Sequence, residues 1–407
     1  MLRRRRSVNA TAAEGAGDGS MSDVLERTAN VSLDVVQLAH ELIKRPSLTP
    51  EDAGCQALIT EQLRPFNFAI EQIDFNDVRN LWARRGETAP LLIFVGHTDV
   101  VPSGPTSDWD SMPFSPTIRN GCLYGRGAAD MKGGVAAFIA ALSQFLSEHP
   151  SHRGSIGVLL TSDEEGKGTD GIRRVANEYL IDRHEVEYCL VGEPISQEWA
   201  GDTIKNGARG VLMGRLTVEG IEGHVAYPQL ASNPIHSFAA PLAELCSTEW
   251  DRGNAWFPAT SFQVTNIRSG NGTESSIPGK LEASFNFRFN PKSSVESLRA
   301  AVEQTLAKHR TRYSIEWLTH GLPFLTESGA LLDAAKNAVT ETTGQLANVS
   351  TMGGTSDGRH FARTGAQIIE LGLVSKSIHK ANECVRVEDL QALTMIYRRI
   401  LEQLLLG

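Results

Sequence analysis

Apolar runs of strand character recur along the first half of this chain, and each stops at an acid or a histidine. LLIFVGHTDVV (91–101) runs into His97-Thr98-Asp99, IGVLLTSDEE (156–165) into Glu164-Glu165, and YCLVGEP (188–194) into Glu193. Helical stripes lie between them, as in Gly134 to His149, where Val135, Phe138, Ile139, Leu142 and Phe145 share one face. Alternating strands and helices imply an α/β fold with a mostly parallel sheet covered on both faces. Open sheets of that kind carry their sites at the carboxyl ends of the strands. Asp130, after the glycine-rich GRGAADMKGG (125–134), and His379, in KSIHKANE (376–383), are read as further strand-end positions.

The 407 residues suffice for two domains with ordinary cores. A hydrophobic content of 41% and a charged content of 21% are those of a globular protein, and no apolar stretch approaches a membrane span. The net charge of −9 speaks against a general nucleic-acid surface but leaves room for a local basic pocket that holds an anionic substrate. The five cysteines are dispersed and form no C-x-x-C pair, which suits a reducing, cytoplasmic setting. They are read as small apolar fillers without a catalytic role. Residues 1–31 carry Arg3 to Arg6 followed by small residues with no apolar core, so the expectation there is a disordered extension ahead of a natural start near Met21.

From 32 to 208 the pattern is that of the first part of a catalytic domain. Between 209 and 321 it changes: strands at 211–220, 260–270, 280–290 and 313–321 and helices at 234–250 and 294–309 follow the order β-α-β-β-α-β, the split βαβ arrangement of ferredoxin-like domains. A helix at 329–344, a strand at 366–372 and a closing amphipathic helix at 387–406 then return to the first domain. A discontinuous catalytic domain, 32–208 and 322–407, with an inserted α+β domain is the resulting expectation.

Scattered acids and two histidines at strand ends have the composition of a two-metal hydrolytic site. Imidazole beside carboxylates suits Zn²⁺, Co²⁺ or Mn²⁺ better than Mg²⁺ or Ca²⁺. In such a scheme Asp130 bridges, His97 and Glu193 hold one ion, and Glu165 and His379 hold the other. Strand periodicity puts His97 and Asp99 on one face, where the Asp99 carboxylate can accept the imidazole's other N–H. Glu164 and Glu165 are adjacent and diverge, so that one ligates while the other acts as general base. Taken singly, H-x-D also suits a surface turn, E-E a helix-start charge pair, and Asp130 a helix cap. GGTSDG (353–358) alone reads equally as a flexible turn and GHVAYP (223–228) as a hairpin loop.

GHTDVVP, GRGAADMKGG, TSDEEG, LVGEP, GHVAYP and IHKANE together resemble the M20 family of metallopeptidases and deacylases, and the similarity spans about 32–406. Longer runs, among them DTIKNGARG, GHVAYPQLASNPIH and GGTSDGRHFA, resemble one branch of it. That branch hydrolyses the amide of N-succinyl-LL-2,6-diaminopimelate to succinate and LL-2,6-diaminopimelate in lysine and diaminopimelate biosynthesis. The resemblance implies a two-zinc homodimer with His97, Asp130, Glu165, Glu193 and His379 as metal ligands. It makes Asp99 the partner of His97, Glu164 the base, and His224, reaching into the other subunit's site from the inserted dimerisation domain, the oxyanion donor. Arg209, Arg288 and Thr355 match its substrate-binding positions. Three places depart from the branch: Ala208 where GRRG has its first arginine, Ser275 where an Asn precedes V-I-P-G, and Ser375 and Ser377 in place of an Asn and a Thr. The alternatives are another deacylase of the family acting on N-acetylornithine, a general aminoacylase, a silent dimerisation protein of this fold, and a two-metal phosphoesterase.

Overall fold

The structure is a computed structural model that describes residues 33–406; the extension expected over 1–31 lies outside the described residues. The chain lays down β1 (Ala69–Gln72), β2 (Asn80–Arg85), β3 (Leu91–His97), β4 (Ser155–Thr161), β5 (Tyr188–Val191) and β6 (Thr203–Lys205). Four longer strands follow, β7 (Gly210–Glu219), β8 (Ser261–Ser269), β9 (Lys280–Phe289) and β10 (Tyr313–Gly321), and then β11 (Asn348–Ser350) and β12 (Gln367–Glu370). The first six and the last two form one sheet in the order β1-β2-β4-β3-β5-β12-β6-β11. Its central strands β4, β3, β5 and β12 are parallel, while the β1–β2, β2–β4 and β6–β12 pairings are antiparallel. The outermost β6–β11 pairing is parallel again, so the mostly parallel sheet expected from the sequence is interrupted by antiparallel pairings on either side of its centre.

Both faces of this sheet are covered, which explains why its central strands are apolar without alternation. Leu92 and Phe94 of β3 face one core, with helices α1 (Val35–Ile43), α2 (Cys55–Leu63), α3 (Lys132–Glu148), α6 (Ala330–Thr343) and α7 (Val387–Leu405). Leu91, Ile93 and Val95 face the other, beneath the turns Ile172–Val175 and Ala176–Leu180 and Phe361. Gly133 and Gly134 let the start of α3 press on the sheet: a Cβ at Gly134 would lie 2.7 Å from the carbonyl of Gly192. Glu193 therefore emerges beside the α3 terminus, not beyond it.

Strands β7 to β10 make a separate antiparallel sheet, ordered β8-β9-β7-β10. Helices α4 (Pro234–Ser247) and α5 (Val295–Lys308) pack on one face. Here the alternation is clean, because the other face of the sheet is open: Leu281, Ala283, Phe285, Phe287 and Phe289 of β9 point into the core. Each buried phenylalanine there contributes roughly 1.5–3 kcal/mol. Ser294 and Ser297 form the capping box that starts α5, and Asn233 caps α4 ahead of Pro234. The strand order is that of the expected ferredoxin-like arrangement. The two crossings to the larger sheet run side by side: Gly207–Ala208 pairs with Phe324–Leu325, and Thr326 N–H donates to the Asn206 carbonyl at 2.7 Å.

Candidate metal centre

His97 is the last residue of β3, and its ring is fixed from behind. Nδ1 lies 2.9 Å from the main-chain carbonyl of Asp99, so it carries the proton and leaves Nε2 facing the cavity. This corrects the sequence expectation: the Asp99 carboxylate stands at 3.6 Å from Nδ1 and accepts instead the backbone N–H groups of Glu164 at 3.4 Å and Glu165 at 3.1 Å. A single residue thus holds both the imidazole, through its main chain, and the Glu164-Glu165 turn, through its side chain.

Asp130 sits between the two histidines. Its Oδ1 is 3.2 Å from His97 Nε2 and its Oδ2 is 3.2 Å from His379 Nε2. Glu165 Oε1 is 3.0 Å from His379 Nε2, and Glu193 Oε1 is 3.9 Å from His97 Nε2. His97, Asp130 and Glu165 present ligand atoms within 4.8 Å of one another, and so do His97, Glu164 and Glu193. The adjacent glutamates fall into different groups. Asp130 and His379 do not sit at carboxyl ends of main-sheet strands, contrary to the sequence reading. Asp130 precedes α3, and His379 lies in the turn between β12 and the short strand Cys384–Arg386, with φ at +59°. A histidine in that left-handed region is uncommon, and such strain concentrates at functional sites.

Residues that drew no attention in the sequence hold these segments. Glu383 is buried and gathers the glycine-rich loop. It accepts from Arg126 Nη1 at 2.7 Å and from the N–H groups of Gly127 (3.0 Å), Ala129 (2.9 Å) and Asp130 (3.0 Å). Asp163 does the same for the turn after Glu165, accepting from Lys167, Thr169 and Asp170. Their signal was present only as further acids within the motifs TSDEEG and IHKANE, which does not separate them from surface charges.

The charges explain one another. Burial alone would depress the His97 pKa, but its bond to Asp130 and the charges of Glu193 and Asp99 hold it well above its ordinary value. His379 is raised to about 9, first by its bond to Asp130 and then by Glu165. Asp130 is lowered, the two imidazoles outweighing its burial. Burial, reinforced by Asp357, Glu165 and Asp130, pushes Glu164 up to about 8, and burial with Glu164 and Asp130 raises Glu193 well above the carboxylate range. Acids and imidazoles held this close balance only by taking up protons or by sharing cations. A donor set of two imidazole nitrogens and several carboxylates, one with an oxygen toward each imidazole, fits a pair of divalent metal ions.

A cavity of about 570 Å³ leads from Asp130, Glu164 and Glu193 to Thr355 and Ser375. Arg288 of β9 donates from Nη1 to Thr355 Oγ1 at 3.3 Å. Burial lowers the Arg288 pKa, and the neighbouring guanidinium groups of Arg209 and Arg359 lower it further. Cations therefore converge beside Thr355. His224 stands apart from this cluster: it is exposed on the short strand Gly223–His224, and its contacts are local, with Ala226 N–H at 3.0 Å and the Tyr227 ring. Of the departing positions, Ala208 is buried in the crossing ribbon, and Ser375 lines the cavity while donating to the Ser196 carbonyl.

Carboxylates and imidazoles assembled in this way define a metallohydrolase type of site, and the chain belongs to peptidase family M20/M25/M40, whose family model matches residues 93–403. It is 55% identical over 370 residues to the succinyl-diaminopimelate desuccinylase of Halorhodospira halophila, covering 91% of this chain and 98% of the relative. To the enzyme of the same name from Methylococcus capsulatus it is 54% identical over 372 residues, covering 91% and 99%. Its fold matches that of a family M20 metallo-carboxypeptidase from Sulfolobus solfataricus, with a TM-score of 0.75 at 17% identity over 91% of this chain and 99% of the other. A dinuclear metal-binding M20 peptidase from Bacillus subtilis matches with a TM-score of 0.69 at 14% identity, over 91% and 97%. Among the described residues no helix is long and apolar enough to cross a membrane.

Proposed function

We propose that this protein hydrolyses the amide of N-succinyl-LL-2,6-diaminopimelate to succinate and LL-2,6-diaminopimelate. The substrate reading is supported by the two relatives above, alike over nine-tenths of the chain. The chemistry is carried by one observation: Asp130 offers one oxygen to His97 and the other to His379, each at 3.2 Å. His97 and Glu193 would hold one divalent ion, Glu165 and His379 the other, and Asp130 both. Zn²⁺ is the ion best matched to this mixed nitrogen and oxygen set, with Co²⁺ as the alternative. Such ions, when bound, supply Lewis-acid polarisation of the acyl carbonyl and a water of lowered pKa.

Glu164 is the base in this reading. Its carboxyl is pushed up to about 8 by burial first in the metal-free site; with cations sharing the site it would be ionised, able to take a proton from the attacking water and pass it to the leaving amine nitrogen. Asp99 serves it indirectly by fixing the Glu164-Glu165 backbone. Arg288, Arg209 and Thr355 receive the succinyl carboxylate, a task that suits converging guanidinium groups and a hydroxyl. Segment 209–321 acts as the dimerisation domain, and His224 of each subunit donates to the oxyanion in the partner's site. Exposed Val225, Tyr227, Leu230 and Ile235 around His224 support an interface there.

The test is a substrate comparison on zinc-loaded protein. N-succinyl-LL-2,6-diaminopimelate should be turned over with much the higher kcat/KM than N-acetylornithine. A preference for the acetyl compound would replace this reading by an acetyl deacylase of the same family.

A further inference from the structure

Thr355 is gripped on both sides by one buried ion pair. Lys205 ends β6 and Glu370 ends β12, and the two are register partners, 3% and 2% exposed, with Lys205 Nζ 2.8 Å from Glu370 Oε2. The ammonium also donates to the carbonyl of Gly354 at 2.5 Å, while Glu370 Oε1 accepts from the Ser356 hydroxyl at 2.7 Å. Gly354 and Ser356 are the immediate neighbours of Thr355.

On its downstream side the loop is also held by Arg359, whose Nη1 donates to the Thr355 carbonyl at 3.3 Å, but upstream its backbone is loosely packed. A Cβ at Gly353 or Gly354 would meet nothing within 4 Å, and Gly353 has φ at +95°. A glycine pair with that much space leaves the backbone free to swing. The ion pair is a poor device for stability as such, because desolvating both charges offsets their attraction, and apolar residues of similar volume commonly do as well. Its placement, one charge on each flank of a cavity-lining residue whose hydroxyl accepts from Arg288, is what distinguishes it.

We propose that Lys205 and Glu370 are positioning residues that hold Thr355 at the carboxylate-receiving end of the cavity. They set affinity for the succinyl chain and its selection over acetyl, since their bonds run to each other, to Gly354 and to Ser356 and not to the metal residues. This rests on the reading that Thr355 and Arg288 receive the succinyl carboxylate.

The test uses the full-length, zinc-loaded protein in four forms: Thr355→Ala, Ser356→Ala, the double variant Thr355→Ala/Ser356→Ala, and the charge-free pair Lys205→Met/Glu370→Met. Thr355→Ala should raise KM for the succinyl substrate roughly tenfold, the loss of one hydrogen bond to a charged group. Ser356→Ala and the charge-free pair should raise KM several-fold at near-constant kcat and zinc content. They should narrow the succinyl-over-acetyl preference by the same factor and speed amide hydrogen exchange locally at 353–357. Ser356→Ala should add little once Thr355 is already alanine.

If Thr355→Ala raises KM while Ser356→Ala and the charge-free pair change neither KM nor local exchange, the positioning role is wrong and the substrate reading stands. If Thr355→Ala leaves KM unchanged, the carboxylate reading fails and the proposal with it. A fall in kcat without a change in KM also overturns it.

Discussion

The carboxylate of Glu383 accepts the backbone N–H of Asp130 at 3.0 Å from a position four residues beyond His379. One side chain therefore ties together the two loops whose Asp130 and His379 face each other at 3.2 Å. Burial raises its pKa and the bonds from Gly127, Asp130 and Arg126 oppose that rise, so the ionised form depends on the loop being in place.

Replacing Glu383 by Gln should weaken zinc binding about 10–100-fold, the usual cost of losing a group that orients metal ligands. Glu383→Ala should in addition lower stability by roughly 3–5 kcal/mol, because Arg126 is left buried without its partner. A zinc competition titration and a thermal melt of the metal-free protein measure the two effects separately. Unchanged zinc affinity in Glu383→Gln would remove the positioning role.

Glu164→Gln should keep both metal ions and lose turnover by about 10²–10⁴-fold, the range for a positioned general base. Elemental analysis alongside kcat decides the matter. Retained turnover would move the role of base to another residue, and loss of metal would make Glu164 a ligand.

His224→Ala should lower kcat about 10²–10³-fold, as for removal of one oxyanion donor. If His224 serves the partner's site, mixing His224→Ala with Glu164→Gln subunits restores intact sites in the mixed dimers, about a quarter of the total. Recovery of activity on mixing is the expected result; none despite subunit exchange would place His224 in its own subunit's chemistry or outside it.

Metal affinity should rise with pH. His379 without metal carries a proton to about pH 9, raised first by its bond to Asp130. A cation must displace that proton at any lower pH, so affinity should climb roughly tenfold per pH unit for each proton displaced. The same raised pKa contributes stability to the metal-free fold that is fully present below about 6.5 and lost as pH rises through about 9. Calorimetric titration in buffers of different protonation heat counts the protons released. A flat affinity between pH 6.5 and 8.5 would contradict this account.

The order of elements was readable from local periodicity. Runs such as LLIFVGH and IGVLL predict strands buried on both faces of a layered sheet, and β3 and β4 are those strands. The change to clean alternation in KLEASFNFRF announces the second sheet, whose outer face is open. The antiparallel pairings within the large sheet were not readable, because pairing direction depends on partners far away in sequence. Asp130 and His379 show the same limit. Both are motif residues, yet neither leaves a main-sheet strand end; loops folded around Glu383 deliver them.

The amino-acid sequence by itself determined which residues can ligate, accept protons or cross a core, since those properties belong to side-chain chemistry and to periods of two or 3.6. Tertiary structure alone decided that the Asp99 carbonyl, and not its carboxylate, fixes His97. It also decided that Glu383, Lys205 and Glu370 are buried holders of loops, not solvated charges. A charged residue reads the same in a sequence whether water or a backbone N–H satisfies it, and only the folded chain chooses between them.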